Sequence, residues 1–210
     1  MDKFIGRLTF GFLLGQAAPG FILMVVLWDL GYIDFGSLLA SQASATSGSP
    51  PWLALLVTGS LVGVVIDQIG WATGGWLMAK ETEGTLPSEY FENFNSLAIV
   101  LLGPVLVAGL ALYALLFSKV KDLNVREFLP RISSEKFAQW EWLQSFYLYT
   151  AQFFMNAALA GTLAILPIWI ATEQIAWTLA LWTGIGLLKL MEMRASSTLF
   201  AAESELVDEP

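Results

Sequence analysis

Residues 53–78 read LALLVTGSLVGVVIDQIGWATGGWLM, a stretch long and apolar enough to cross a bilayer as a helix. It nevertheless contains an acid, Asp67, close to its middle. Positions three and four apart share one face of a helix, so the carboxyl falls in line with four glycines: Gly59, Gly63, Gly70 and Gly74. Small residues in such a line let a second helix approach closely, and a polar side chain there can bond across the contact. The stretch therefore predicts a transmembrane helix with a packing groove around one carboxyl group.

The composition of the whole chain is that of an integral membrane protein. Of its 210 residues, 56% are hydrophobic and only 13% are charged, whereas about 25% are charged in an average soluble domain. The apolar runs predict an all-α, polytopic helical bundle with five transmembrane helices and no separate soluble domain. The expected spans are about 8–28, 53–77, 97–117, 145–170 and 175–191. The alternative is four spans with a re-entrant N-terminal segment.

The segments around these spans complete a single transmembrane domain over residues 1–194. Residues 118–142 interleave basic and apolar side chains, which favours a segment lying among lipid headgroups. Residues 195–210 form an acidic tail that we expect to be mobile. Proline removes a helix hydrogen bond and an adjacent glycine weakens the helix further. We therefore expect a kink or break in the first span at Gln16–Gly20, which includes Pro19 and Gly20, and an interruption of the third span at Pro104.

Orientation follows the bias of Lys and Arg in short loops toward the cytoplasm. Five spans with the N-terminus outside place seven basic residues inside: Lys119, Lys121, Arg126, Arg131, Lys136, Lys189 and Arg194. Three remain outside: Lys3, Arg7 and Lys80. The re-entrant alternative leaves only Lys80 outside. We expect the N-terminus out and the C-terminus in, at a bacterial cytoplasmic (inner) membrane.

Missing residue types exclude several classes of function. The chain contains no cysteine and no histidine, so it cannot form disulfides, Cys/His zinc sites, cysteine-ligated iron–sulfur clusters or histidine-ligated haem. Histidine-based acid–base catalysis is excluded as well. The net charge of −8 lacks the basic footprint of a nucleic-acid-binding protein. We predict no enzyme activity, no metal, no cofactor and no nucleic-acid partner.

The candidate ion or proton site consists of polar residues within the apolar spans. An ionised carboxyl at mid-membrane costs about 2.5–3.5 kcal/mol on insertion scales, and no Lys or Arg is expected at the depth of Asp67. Its candidate partners are Gln16 on the first span and the amides Gln152 and Asn156, one turn apart on the fourth. These groups either fix helix packing through hydrogen bonds or bind a proton or cation.

Two functional hypotheses follow from these patterns. In the first, the protein is a subunit or oligomerising component of a membrane assembly, packed through the glycine-rich face around Asp67. Its partners are then the lipid bilayer and either a second copy of the chain or another membrane protein. In the second, it is a channel or a proton- or ion-coupled transporter in which Asp67 titrates. A lipid-modifying enzyme has the least support, because few polar groups converge at headgroup depth.

Overall fold

The computed structural model describes residues 11–34, 51–81, 96–117 and 134–206, and every regular element in these ranges is helical. Five helices follow one another in these ranges. Helix α1 comprises a π-helical turn, Phe12–Ala17, and the α-helical segment Ala18–Asp29. Helix α2 is Pro51–Glu81, and α3 is Ser96–Phe117. Helix α4 consists of Ser134–Leu143, the π-helical turn Gln144–Leu148 and Tyr149–Thr172, and α5 is Ile175–Leu206. The all-α prediction is confirmed for the described residues. In α2, side chains are described for residues 55–70.

Three described helical stretches are long and apolar enough to cross a membrane: Phe12–Asp29, Lys136–Thr172 and Ile175–Leu199. Two shorter apolar stretches, Leu55–Gly70 and Ser96–Gly109, lie within α2 and α3. Large apolar side chains point outward from every helix, as expected of surfaces that face lipid. The structure is thus a helical bundle suited to a membrane.

Helix α1 continues through Pro19 and Gly20, where we expected an interruption. Pro19 has no N–H to donate to the carbonyl of Gly15, four residues before it. The helix widens there into the π-helical turn, in which the N–H of Ala18 bonds the carbonyl of Leu13, and it then continues as an α-helix. The first segment is therefore one continuous helix and not a re-entrant pair.

Helix α3 likewise continues through Pro104 without a break. Pro104 leaves the carbonyl of Val100 without its usual helical donor. Gly186 of α5 packs directly against the carbonyl of Val100, since a Cβ on Gly186 would overlap that carbonyl. The proline thus marks a close helix contact and not the interruption that its sequence context predicts.

Helices α4 and α5 form a tight antiparallel hairpin. Glu173 ends α4 in the left-handed conformation, with φ of 51°, and its N–H bonds the carbonyl of Trp169. At the far end of the hairpin, Leu199 and Leu206 of α5 pack against Leu143 of α4. Residues 195–206 are therefore a packed helix, which corrects the expected mobile tail from residue 195. Of the expected headgroup stretch, residues 134–142 belong to α4, and 118–133 lie outside the described residues.

Helices α1 and α4 run in the same direction. Gly11, just before α1, packs against the ring of Tyr149, near the start of the last segment of α4. Beyond the other end of α1, the hydroxyl of Tyr32 donates to the carbonyl of Pro167, 3.1 Å away. Five spans that cross alternately would make the first and fourth antiparallel, so this part of the sequence prediction is wrong.

The direction of α1 fixes which helix ends lie together. Helix α2 is antiparallel to α1, because Gly59 packs against Phe21 and Gly63 packs against Gln16, further back along α1. Helix α5 returns antiparallel to α4. The start of α1, the start of α4 and the end of α5 therefore share one end of the bundle. A membrane across this bundle would place the start of α1 and the end of α5 on one side, unlike the expected arrangement with the N-terminus out and the C-terminus in.

Candidate functional site

The carboxyl group of Asp67 lies at the meeting point of α1, α2 and α4 and is completely buried. Its Oδ2 accepts a hydrogen bond from Nε2 of Gln16, 2.8 Å away. Its Oδ1 accepts from Nε2 of Gln152 at 2.6 Å and from Nδ2 of Asn156 at 2.8 Å. Both oxygens of the carboxyl group therefore accept hydrogen bonds from side-chain amides. The four residues singled out in the sequence are thus brought together around one carboxyl group.

A backbone carbonyl completes this cluster. Nδ2 of Asn156 also donates to the carbonyl oxygen of Gly15, 2.6 Å away. That oxygen is available because Pro19, at the position of its α-helical donor, has no N–H. The proline in α1 therefore contributes to the site indirectly, by freeing an acceptor that a side chain of α4 uses.

One polar atom of the cluster has no partner. Asn156 is 0% exposed, and its Oδ1 is the only buried side-chain oxygen or nitrogen among the described residues without a hydrogen bond. A Cβ at Gly70 would lie 2.5 Å from this oxygen, so α2 approaches α4 closely here. A buried acceptor without a donor typically costs about 1–3 kcal/mol. Such an atom marks a place where the structure is built for something besides packing.

The glycine groove of α2 is filled by the chain's own first helix. A Cβ at Gly59 would lie 2.8 Å from Cα of Phe21, and one at Gly63 would overlap the carbonyl of Gln16. Gly70 faces α4 at Asn156. Gly74 lies in the part of α2 whose side chains are outside the described residues. The glycines therefore allow the close approach that places Gln16 beside the buried carboxyl.

The structure also contains a buried pair of opposite charges, which the sequence analysis did not predict. Lys189 and Glu192 of α5 are 5% and 3% exposed, and Nζ lies 2.5 Å from Oε2. Oγ of Ser196 lies 3.5 Å from the other carboxylate oxygen. The spacing of opposite charges three residues apart was the available signal, because it places both on one helix face.

Lys189 lies at a depth that was expected to hold no basic residue. Gly161 of α4 faces Ile185, and Leu143 packs with Leu199. Lys189 lies one helical turn beyond Ile185. The α4–α5 contacts therefore place it at about the level of residues 153–157 of α4. That is the level of Asn156, so the prediction that no Lys or Arg accompanies Asp67 at its depth is wrong.

The chemistry of the Asp67 cluster is limited to hydrogen bonding and to binding a proton or a hard cation. Its atoms are carboxylate, amide and carbonyl groups, and it contains no nucleophile paired with a base. No group of three or more acidic, histidine or cysteine side chains arranged for a metal occurs within the described residues. Comparison with protein-family models, curated proteins and solved structures finds no match for the chain.

Proposed function

We propose that this chain is an integral membrane protein that acts as a subunit or oligomerising component of a membrane assembly. Its polar groups tie α1, α2 and α4 to one another, and Gly59, Gly63 and Gly70 of the glycine groove are covered by its own helices. A partner would therefore approach through another face. The observation that supports this proposal is a row of small residues on the outer face of α5.

This small-residue row consists of Ala176, Ala180 and Gly184, which are four residues apart. The two alanines are exposed, and nothing lies within 4 Å of where a Cβ of Gly184 would be. Neighbouring side chains are also turned outward, with Trp177 62% and Leu179 59% exposed. Rows of small residues at this spacing let membrane helices pack closely, so this face suits a second helix.

The small-residue row can be tested by cross-linking, because the chain has no cysteine of its own. Ala180→Cys is expected to form a disulfide-linked dimer on mild oxidation in its native membrane. Two copies related by a two-fold axis through this row would bring the introduced thiols within the roughly 7 Å that a disulfide spans. Gel electrophoresis without reductant measures the product.

The matched control is Leu166→Cys on α4, where the native side chain is 64% exposed. It introduces a cysteine at an exposed position on a different helix, and it should stay monomeric. A cross-link of Ala180→Cys to a protein of different mass would identify a heteromeric partner. Equal dimer yield from the two variants, or no product from Ala180→Cys, contradicts association through this row.

We further propose that the bundle end where α1 begins and α5 ends faces the cytoplasm. Among the described residues, this end carries Lys136, Glu141 and Arg194, whereas the opposite end carries Asp29, Asp34 and Glu173 and no Lys or Arg. No Lys or Arg occurs in residues 8–79 or 137–188, which contain the described connections at that opposite end. The positive-inside bias supports this orientation. The expected span number of five stays a proposal.

Impermeant maleimide labelling of intact cells tests the orientation. Gln174→Cys, at the exposed α4–α5 turn, should label from outside, since it lies at the end without Lys or Arg. Thr198→Cys, exposed near the end of α5, should label only after permeabilisation. The reverse pattern would invert the assignment, and labelling of both before permeabilisation would contradict a membrane between these ends.

A proton- or ion-coupled function is the second candidate, and one observation favours it. The unpaired Oδ1 of Asn156 lies in a cluster that already contains a buried carboxyl. Ionisable residues at membrane depth commonly belong to ion or proton pathways. Hydrogen bonds that only hold helices together would not require an unpaired oxygen beside the carboxyl group of Asp67.

A further inference from the structure

We propose that the Asp67 cluster binds one small monovalent cation of the sodium class, held when the amide of Asn156 turns its oxygen toward the carboxyl. The inference goes beyond the proposed assembly role. It rests on the ion-coupled candidate and gives that candidate a ligand. The described geometry supports it in three respects: the convergence of oxygens, the unpaired amide oxygen, and the balance of charge.

Two oxygens converge on a single point of the cluster. Oδ1 of Asp67 and the carbonyl oxygen of Gly15 lie 2.8 and 2.6 Å from the same atom, Nδ2 of Asn156. The partly positive N–H₂ group thus contacts both oxygens from the side on which a positive ion would meet them. Carbonyls freed where a membrane helix departs from α-helical bonding, as Gly15 is by Pro19, are ligands for such ions.

The unpaired oxygen supplies the next ligand. Rotating the side-chain amide of Asn156 by half a turn would exchange Nδ2 for Oδ1 and bring three oxygens together: Oδ1 of Asn156, Oδ1 of Asp67 and the carbonyl oxygen of Gly15. Without a cation these oxygens would repel one another, so the turned amide requires a positive ion between them. The amide of Gln152 lies beside these oxygens, since its Oε1 is 2.9 Å from where a Cβ of Gly15 would be. It provides a further amide oxygen by the same rotation.

The charge of the cluster selects a monovalent ion. Asp67 is its one acid, and the three side chains that bond its carboxyl are neutral amides. Lys189, the basic residue at a similar level, is already paired with Glu192. One positive charge neutralises the carboxylate, whereas a divalent ion would leave a net charge in a medium of low dielectric. Carboxylate and carbonyl oxygens also favour hard cations over transition metals.

The deciding measurement is equilibrium binding of ²²Na⁺ to the purified full-length protein in detergent. Saturable binding of about one ion per chain is expected, competed by unlabelled Na⁺ and not by choline. Asp67→Asn keeps the size and hydrogen-bonding capacity of the side chain and should reduce the affinity at least tenfold. Glu173→Gln, the same chemical change at the exposed turn between α4 and α5, should bind as the native protein does.

Thermal unfolding provides a second readout, in case Asp67→Asn fails to fold. At sodium concentrations 100-fold above the dissociation constant, the native protein should unfold about 5 °C higher than in choline at equal ionic strength. Asn156→Asp adds a second carboxylate at the same point and should shift the stabilising ion from Na⁺ to Ca²⁺.

Three results would overturn the cation site: absence of saturable binding to folded native protein, unchanged affinity in Asp67→Asn, or stabilisation by acid with no response to sodium. The third leaves the ion-coupled candidate standing as a proton site. Failure of that candidate itself would appear separately, as equal proton and sodium flux in proteoliposomes of the native protein and of Asp67→Asn. The cross-linking of Ala180→Cys is independent of either outcome.

Discussion

Removing either member of the Lys189–Glu192 pair alone is expected to destabilise the protein by about 3–5 kcal/mol, because each change leaves the other charge buried without its partner. The suitable single variants are Lys189→Met and Glu192→Leu. Removing both together should cost much less, and the double variant is expected to lie within about 1 kcal/mol of the native protein or above it in stability. Reversible unfolding in mixed detergent, followed by helical circular dichroism, measures all three variants.

The double-variant comparison distinguishes a buried pair from a solvated one. If the two single effects are each below about 1 kcal/mol and add in the double variant, the charges reach water or headgroups and are not coupled. That outcome would contradict the depth assigned to Lys189 from the α4–α5 register. Strong non-additivity would show that two isolated charges are intolerable at this level and that the pair is tolerated only as a unit.

Gly63→Leu is expected to destabilise the bundle by at least about 3 kcal/mol, since a side chain there has no room. A Cβ at this position would overlap the backbone carbonyl of Gln16, which cannot swing aside as a flexible side chain could. Separating α1 from α2 would also break the hydrogen bond between Gln16 and Asp67. The expected result is loss of the folded species by size-exclusion chromatography and a large drop in the unfolding midpoint.

Gly184→Leu is the matched control for this substitution. It makes the same change on α5 where nothing lies within 4 Å of the added Cβ. The stability of the monomer in detergent should change by no more than about 0.5 kcal/mol, or rise slightly because leucine favours helix. Equal destabilisation by the two leucines would indicate that the α1–α2 contact does not depend on the glycine.

The four polar residues of the site were predictable from the sequence because the bilayer core offers them no water. Asp67, Gln16, Gln152 and Asn156 are separated by up to 140 positions, yet each falls within an apolar run. Polar groups in that environment must satisfy one another. Their depth alone therefore suggested a cluster, although the freed carbonyl of Gly15 and the unpaired oxygen of Asn156 depend on side-chain geometry that no sequence pattern specifies.

Other features could not be read from hydropathy. Counting apolar runs assumes that successive runs cross in alternate directions, and the parallel packing of α1 and α4 violates that assumption. Lys189 followed a long apolar run, so it read as a basic residue at the membrane surface, whereas the register of α5 buries it. In the acidic tail, Leu199 and Leu206 lie seven residues apart on one helix face, a weak signal among many charges.

The sequence separations within the Asp67 cluster impose an order on its biogenesis. Gln16 precedes the acid by 51 residues, whereas Gln152 and Asn156 follow it by 85 and 89. At about 5–20 residues per second of synthesis, a ribosome needs roughly 4–18 s to extend the chain from the acid to these amides. Throughout that interval the carboxyl group of Asp67 lacks two of the three side-chain donors that it has in the finished bundle. Timely arrival of α4 would then be a checkpoint for membrane insertion, and variants that delay it would be exposed to proteolytic quality control before the bundle closes.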